Sequence, residues 1–162
     1  TMTQTRSMPS NKVDRAAFRE MCKHFARKEV APRCEQADRE KIFPRDFYIA
    51  CAHAGLIGIT ADESIGGSGL GAYEEAIAME ELSLVNPNLA VSVLVQNVAG
   101  SILYEYGTVA QKEIARRVIQ GECMVAITVT EPEAGNDIQN IQTTARRDGD
   151  MWILDGIKTF LA

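Results

Sequence analysis

Cysteine is sparse in this 162-residue chain, and metal-type spacing is missing altogether. Cys22, Cys34, Cys51 and Cys123 lie far apart, with no CxxC pair and no histidine at a zinc-like interval. That pattern gives no basis for a metal site or a disulfide framework and leaves the thiols as small core residues of a protein in a reducing compartment. Histidine is scarcer still: His24 and His53 each fall in a helix-like segment, where packing or surface placement is the ordinary role. Positive charge is in the minority, with 17 Lys and Arg against 22 Asp and Glu, a net of −5, and it forms no basic stripe. A phosphate backbone is engaged through just such a stripe, so no nucleic-acid partner is expected. No apolar run approaches the roughly 18 residues of a bilayer span. The opening TMTQTRSMPS is polar, without the apolar centre of a secretory signal, and residues 1–12 are expected to form a flexible tail.

What is present is a hydrophobic fraction of 46%, enough for a sizeable core. Over residues 13–30, Phe18, Met21, Cys22 and Phe25 recur at the spacing of one helical face, and Pro32 is expected to stop the helix. A second helix is expected from Pro44, a favoured first-turn residue, to Gly55, with Phe47, Ala50, Cys51 and Ala54 on one face. A third covers 73–83 and is broken by the Asn-Pro-Asn at 86–88. The stretch 89–106 is almost wholly apolar and reads as a helix buried on most sides, capped at Gly107. A last helix, 109–120, groups Ile114, Val118 and Ile119 and ends at Gly121. The character then changes. Residues 124–130, 143–147 and 151–154 are strand-prone, with Asp148-Gly149 as a tight-turn signal. The expected fold is therefore mainly α, a helical domain over 13–121 followed by the first strands of a β domain over 122–162, too few to close a sheet.

Three features compete as candidate sites. The glycine cluster GGSGLG at 66–71 lacks both the GxGxxG spacing and the preceding strand of a dinucleotide turn, so it reads as a flexible connection between helices. Glu74-Glu75 and Glu80-Glu81 read as the solvated side of a helix, and no Ser-His-Asp order is present. The third feature is TEPEAGND at 130–137, which ends a strand-like run with an acid and a proline. Gly135 admits backbone geometry closed to other residues, and Asn136 and Asp137 tolerate and cap turns. On residue types alone this is either an ordinary surface turn or a loop whose amides are freed to hold an anion.

The sequence VTEPEAGND at 129–137, then TTA at 143–145, DGD at 148–150 and WILDGIK at 152–158, resembles the signature of the acyl-CoA dehydrogenases, flavoproteins that desaturate acyl-CoA thioesters. Upstream, FRE at 18–20, EVAP at 29–32, GLIG at 55–58, Gly66-Gly67 and Glu80-Glu81 are similar too, so the resemblance runs from about residue 13 onward. It is closest in pattern to long-chain or branched-chain members. It implies an N-terminal helical domain, a middle β domain and a C-terminal helical bundle, of which this chain would hold the first and the beginning of the second.

The resemblance further implies FAD as cofactor. Carried over by position, Ile127, Val129 and Thr130 would face the isoalloxazine, with Thr130 donating to a ring heteroatom. Gly135 and Asn136 would contact the pyrophosphate or the CoA portion of the substrate, and Phe160 would stack near the flavin. Two departures stand out: Asn136 replaces the family's usual serine, and Ala162 lacks a hydroxyl often found there. Ala90, Leu94 and Val98, at helical intervals, are the candidates for lining an acyl tunnel, with core packing as the alternative. Members of the family remove the thioester α-proton with a glutamate of the C-terminal bundle while the β-hydride passes to flavin. On that reading no catalytic residue lies within this chain, which would be an inactive fragment of a β-oxidation enzyme. Electron-transfer flavoprotein or a similar acceptor, and a homodimer or homotetramer, are implied as partners; the compartment would be cytoplasmic in a bacterium and the mitochondrial matrix in a eukaryote. A non-enzymatic interaction or oligomerisation module on the same fold is the alternative.

Overall fold

The computed structural model describes residues 13–161; the tail expected over 1–12, and Ala162, lie outside the described residues. The chain divides into two compact units between Val125 and Ala126.

The first unit is helical. α1, Arg15–Phe25, starts where extended Asp14 accepts the amides of Ala16 and Ala17 at 3.0 and 3.1 Å, satisfying donors that the first turn leaves open. Cys22 is buried and Phe18 and Phe25 pack beside it, but Met21 turns outward, one helical step away from that face. Pro32 does not stop the chain as expected. A π-helical segment, Ala26–Val30, intervenes, and α2, Ala31–Glu40, carries Pro32 in its own first turn. A proline ring breaks a helix by removing an amide and crowding the preceding turn; a local widening to five-residue bonding followed by a new first turn avoids both.

α3, Arg45–His53, buries Phe47, Tyr48 and Cys51, and Gly55 turns the chain at φ +71°. The glycine cluster beyond it is a folded loop rather than the flexible connection expected. The amides of Gly67, Ser68, Gly69 and Leu70 donate to the carbonyls of Asp62, Gly58, Ala61 and Ile59. A Cβ at Gly67 would fall 2.2 Å from the Ala61 carbonyl oxygen, so close backbone approach demands glycine there. With those amides engaged, the loop has none of them to spare for a phosphate.

α4 spans Ala72–Ser83, α5 spans Pro87–Tyr106 behind an Asn86 cap, and α6 spans Val109–Ile119 behind a Thr108–Gln111 capping box. Phe47, Leu56, Ile57, Ile59, Leu82 and Val118 form the fully buried centre. Glu74 and Glu81, read from sequence as solvated, are buried on α4. Arg15 pairs with Glu74 at 2.7 Å, and Arg19 reaches both Glu80 at 2.7 Å and Glu81 at 2.5 Å, so α1 supplies the cations that make carboxylate burial tolerable. α5 also departs from expectation. Val91, Leu94, Val98 and Ile102 form an exposed stripe along it, while Ala90, Val93, Gln96 and Asn97 are buried on the other side. A helix apolar all round does not reveal which side is packed.

The unit is closed by polar side chains acting on backbone. Tyr48 Oη lies 2.7 Å from the Val118 carbonyl and 2.8 Å from that of Cys123. Gln96 accepts the Val125 amide at 2.9 Å and donates to the Val125 carbonyl at 2.6 Å. Asn97 accepts from Gly58 and donates to Leu56.

The second unit holds one antiparallel hairpin, β1 Thr144–Asp148 and β2 Met151–Asp155, registered from Thr144 opposite Asp155 to Asp148 opposite Met151. Gly149, at φ +60°, opens the two-residue turn between them in the position where glycine suits strand twist. The third strand expected over 124–130 is not part of a ladder. No strand pairs with it among the described residues, and its satisfied backbone groups are taken by Gln96, by Lys158 and by the Thr159 amide.

Candidate functional site

The segment 127–137 is organised around Glu131. This side chain is buried, and its carboxylate accepts the Gln142 amide at 2.7 Å, the Thr143 amide at 3.1 Å and the Lys158 ammonium at 2.8 Å. The ammonium foremost, helped by those amides, holds the Glu131 carboxyl down at about 2. The backbone closes a tight turn here: Glu131 and Ala134 exchange hydrogen bonds of 2.9 and 3.2 Å. Asp137 then caps the short turn Ile138–Asn140, accepting from the Gln139 amide and the Asn140 side chain. The acid that sequence reasoning treated as a strand stop is thus the anchor of the whole corner.

The polar groups just upstream are unevenly satisfied. The Val129 carbonyl accepts from Lys158 Nζ at 2.8 Å and the Thr130 carbonyl from the Thr159 amide at 2.8 Å. The amides of residues 127–130 and the Thr130 hydroxyl have no acceptor among the described residues. Gly135 and Asn136 likewise present amides without an acceptor, on an exposed turn. The corner therefore offers donors and keeps two of its acceptors occupied. That is the chemistry needed by a ligand bearing carbonyl oxygens, ring nitrogens with lone pairs, or phosphate oxygens.

The positions singled out from sequence fall in both units. Ile127, Val129, Thr130, Gly135, Asn136 and Phe160 belong to the second. Gly135 does not have the special geometry expected of it: its φ is not positive, and a Cβ there would meet nothing within 4 Å. Its use would be an uncovered amide rather than an unusual backbone. Phe160 is 90% exposed and held at φ +52°, an uncommon conformation for a bulky residue. Ala90, Leu94 and Val98 belong to α5 of the first unit. Leu94 and Val98 stand on the exposed stripe at 37% and 41%, but Ala90 is 2% exposed and packs in the core. Two successive steps of four residues, each turning about 40° around the helix, carry Ala90 toward the packed side and away from the face of Val98.

Against known proteins, the model of the acyl-CoA dehydrogenase N-terminal domain matches residues 13–122. The chain belongs to the acyl-CoA dehydrogenase family. It is 32% identical over 150 residues to the mitochondrial isobutyryl-CoA dehydrogenase of Dictyostelium discoideum, covering 92% of this chain and 36% of that protein. To the mitochondrial long-chain specific acyl-CoA dehydrogenase of Sus scrofa it is 33% identical, over 89% of this chain and 34% of that protein. A glutaryl-CoA dehydrogenase from Mycobacterium smegmatis, solved in complex with FADH2, superposes with a TM-score of 0.84 at 25% identity, covering 91% of this chain and 39% of that one. This acyl-CoA dehydrogenase chain therefore spans about a third of the length of the curated relatives it matches.

Two polar side chains escape local sequence patterns, Lys158 in the corner and Gln96 within the helical unit. Lys158 falls in the WILDGIK motif and Gln96 in the almost wholly apolar stretch 89–106. Each acts on a backbone carbonyl 29 residues away, and no local spacing rule reaches that far.

Proposed function

We propose that this chain forms the flavin-facing amino-terminal part of an FAD-dependent dehydrogenase of acyl-CoA thioesters. The observation that carries the reading is the donor-rich edge at 127–130, whose carbonyls at Val129 and Thr130 are already engaged. FAD, when bound, supplies the two-electron acceptor for the hydride lost from the thioester β-carbon. The residues of this chain would bind and orient it. The amides of Ile127, Val129 and Thr130, with the Thr130 hydroxyl, would meet ring acceptors. The amides of Gly135 and Asn136 would meet phosphate oxygens, and Phe160 would cover a ring face. Leu94 and Val98 would present an uncharged wall to an acyl chain.

In this reading residues 13–121 are the helical domain and 122–162 the opening of the middle β domain. The proton-abstracting base lies outside these residues, so the isolated 162-residue chain turns over no acyl-CoA. Electron-transfer flavoprotein or a similar acceptor, and a homo-oligomer, complete the proposal. The test is titration of the intact protein with FAD, followed by flavin fluorescence, for the parent and for Thr130→Val. Saturable binding weakened about tenfold by removing the hydroxyl supports the reading, because a hydrogen bond in a closed site contributes about 1–2 kcal/mol. An intact protein that takes up no flavin overturns it and leaves the exposed stripe of α5 as the interaction surface of a non-enzymatic module.

A further inference from the structure

Lys158 makes one bond more than an ion pair requires. Its ammonium lies 2.8 Å from Glu131 Oε1 and also 2.8 Å from the Val129 carbonyl oxygen, on a side chain only 22% exposed. The Val129 carbonyl belongs to the same peptide unit as the Thr130 amide, which has no acceptor among the described residues. A cation on the oxygen of a peptide draws electron density from its nitrogen and strengthens the N–H as a donor. The feet of the hairpin are fixed to the same point. Glu131 takes the amides of Gln142 and Thr143 just before β1 and the ammonium of Lys158 just after β2. Between those feet, a Cβ at Gly156 would lie 2.2 Å from Thr143 Oγ1, so the Thr143 side chain packs directly on the Gly156 backbone.

We propose that Lys158 is a positioning residue for the cofactor edge, setting and polarising the Thr130 amide through the Val129 carbonyl while Glu131 holds the ammonium in place. The inference rests on the flavin reading above and deepens it. A role confined to pairing Glu131 would make every neutral replacement equivalent. A role through Val129 ranks replacements by their ability to donate: arginine retains charge and donors, glutamine retains a neutral donor, and methionine retains only bulk.

The experiment measures FAD affinity of the intact protein by flavin fluorescence for Lys158→Arg, Lys158→Gln and Lys158→Met. Thermal melts show that each is folded, and amide hydrogen exchange is followed over 127–131 without flavin. The expected result is an increase in Kd within about threefold for arginine and about tenfold for methionine, with glutamine between them, and slower exchange at the Thr130 amide in the same order, because that amide has no acceptor to protect it and loses the polarisation that makes it acidic. The double variant E131Q/K158M should be no weaker than K158M, because the two residues act as one unit. Wild-type affinity and wild-type exchange in a folded K158M overturn the inference. So do equal losses for glutamine and methionine. Should K158M fail to fold, the arginine and glutamine pair decides, equal loss in both again refuting it. If the parent protein takes up no flavin, the functional reading fails, while the exchange ranking still tests the positioning role alone.

Discussion

Replacing Gln96 by leucine tests how the helical unit secures its last residue. Gln96 is buried at the middle of α5, and its carboxamide satisfies both the amide and the carbonyl of Val125 at 2.9 and 2.6 Å. Side chain thus stands in for a neighbouring strand. Leucine keeps about the same volume and fits the apolar surroundings, so packing loss is small. Two hydrogen bonds disappear, each contributing about 1 kcal/mol net, with more lost if Val125 cannot find water. Val125 is half-buried, so partial rehydration holds the sum to about 1–3 kcal/mol. For a unit of this size that corresponds to a fall in Tm of roughly 3–10 °C.

Urea unfolding followed by circular dichroism measures the difference, with an unchanged m-value showing that the same unit unfolds. Gln96→Glu is the control. One carboxylate oxygen still accepts the Val125 amide, but the other faces a carbonyl, so the variant should be weaker at neutral pH than near pH 4, where protonation restores a donor. A Q96L protein that melts with the parent would refute the claim that these two bonds secure the chain at Val125.

Three further outcomes follow from the same geometry. Because Lys158 and the amides of Gln142 and Thr143 lower the Glu131 carboxyl to about 2 from an ordinary 4.5, its contribution to stability is complete above about pH 4.5 and is lost as pH falls toward 2; the stability difference between the parent and E131Q, followed by urea titration, should shrink over that window, and a difference constant from pH 6 to pH 2 would contradict it. Burial pushes the Cys22 thiol up to about 11 and raises that of Cys51 further, so a thiol reagent at pH 8 should label the partly exposed Cys34 and Cys123 well before them; equal rates at all four would refute the packing described. Leu94→Trp in the intact protein should lower kcat/KM for long acyl thioesters about tenfold relative to short ones, whereas an unchanged ratio would assign Leu94 to packing alone.

Most of the helical architecture is legible in local chemistry. Gly55 and Gly121 end helices at positive φ, and Asn86 with Pro87 starts one, because caps depend on a few adjacent residues. What local reading misjudges depends on distant partners. Glu74 and Glu81 look solvated until Arg15 and Arg19, 59 and 62 residues away, are brought beside them. α5 looks buried all round because an unbroken apolar pattern holds no record of which neighbours cover it. Pro32 looks like a stop because the rule for prolines assumes an α-helix on both sides, and the widened turn at Ala26–Val30 removes that assumption. The candidate corner was found for a partly wrong reason: Gly135 contributes no unusual backbone, and Glu131 anchors what it was expected only to end.

The run 124–130 shows how a strand-prone sequence can do without a ladder. In an ordinary ladder each strand spends amides and carbonyls alike on its neighbour, leaving nothing directed. An unpaired edge has the opposite difficulty, since it offers both kinds of group and binds other strands indiscriminately. Here the two kinds are separated. Lys158 and the Thr159 amide occupy the carbonyls of Val129 and Thr130, so a strand approaching those two residues would meet amides without the reciprocal acceptors that pairing needs. A ligand rich in acceptors meets no such conflict. The β-prone composition and the missing ladder are thus compatible: Lys158 and Thr159, after the hairpin, supply to Val129 and Thr130 the donors that a neighbouring strand would otherwise bring.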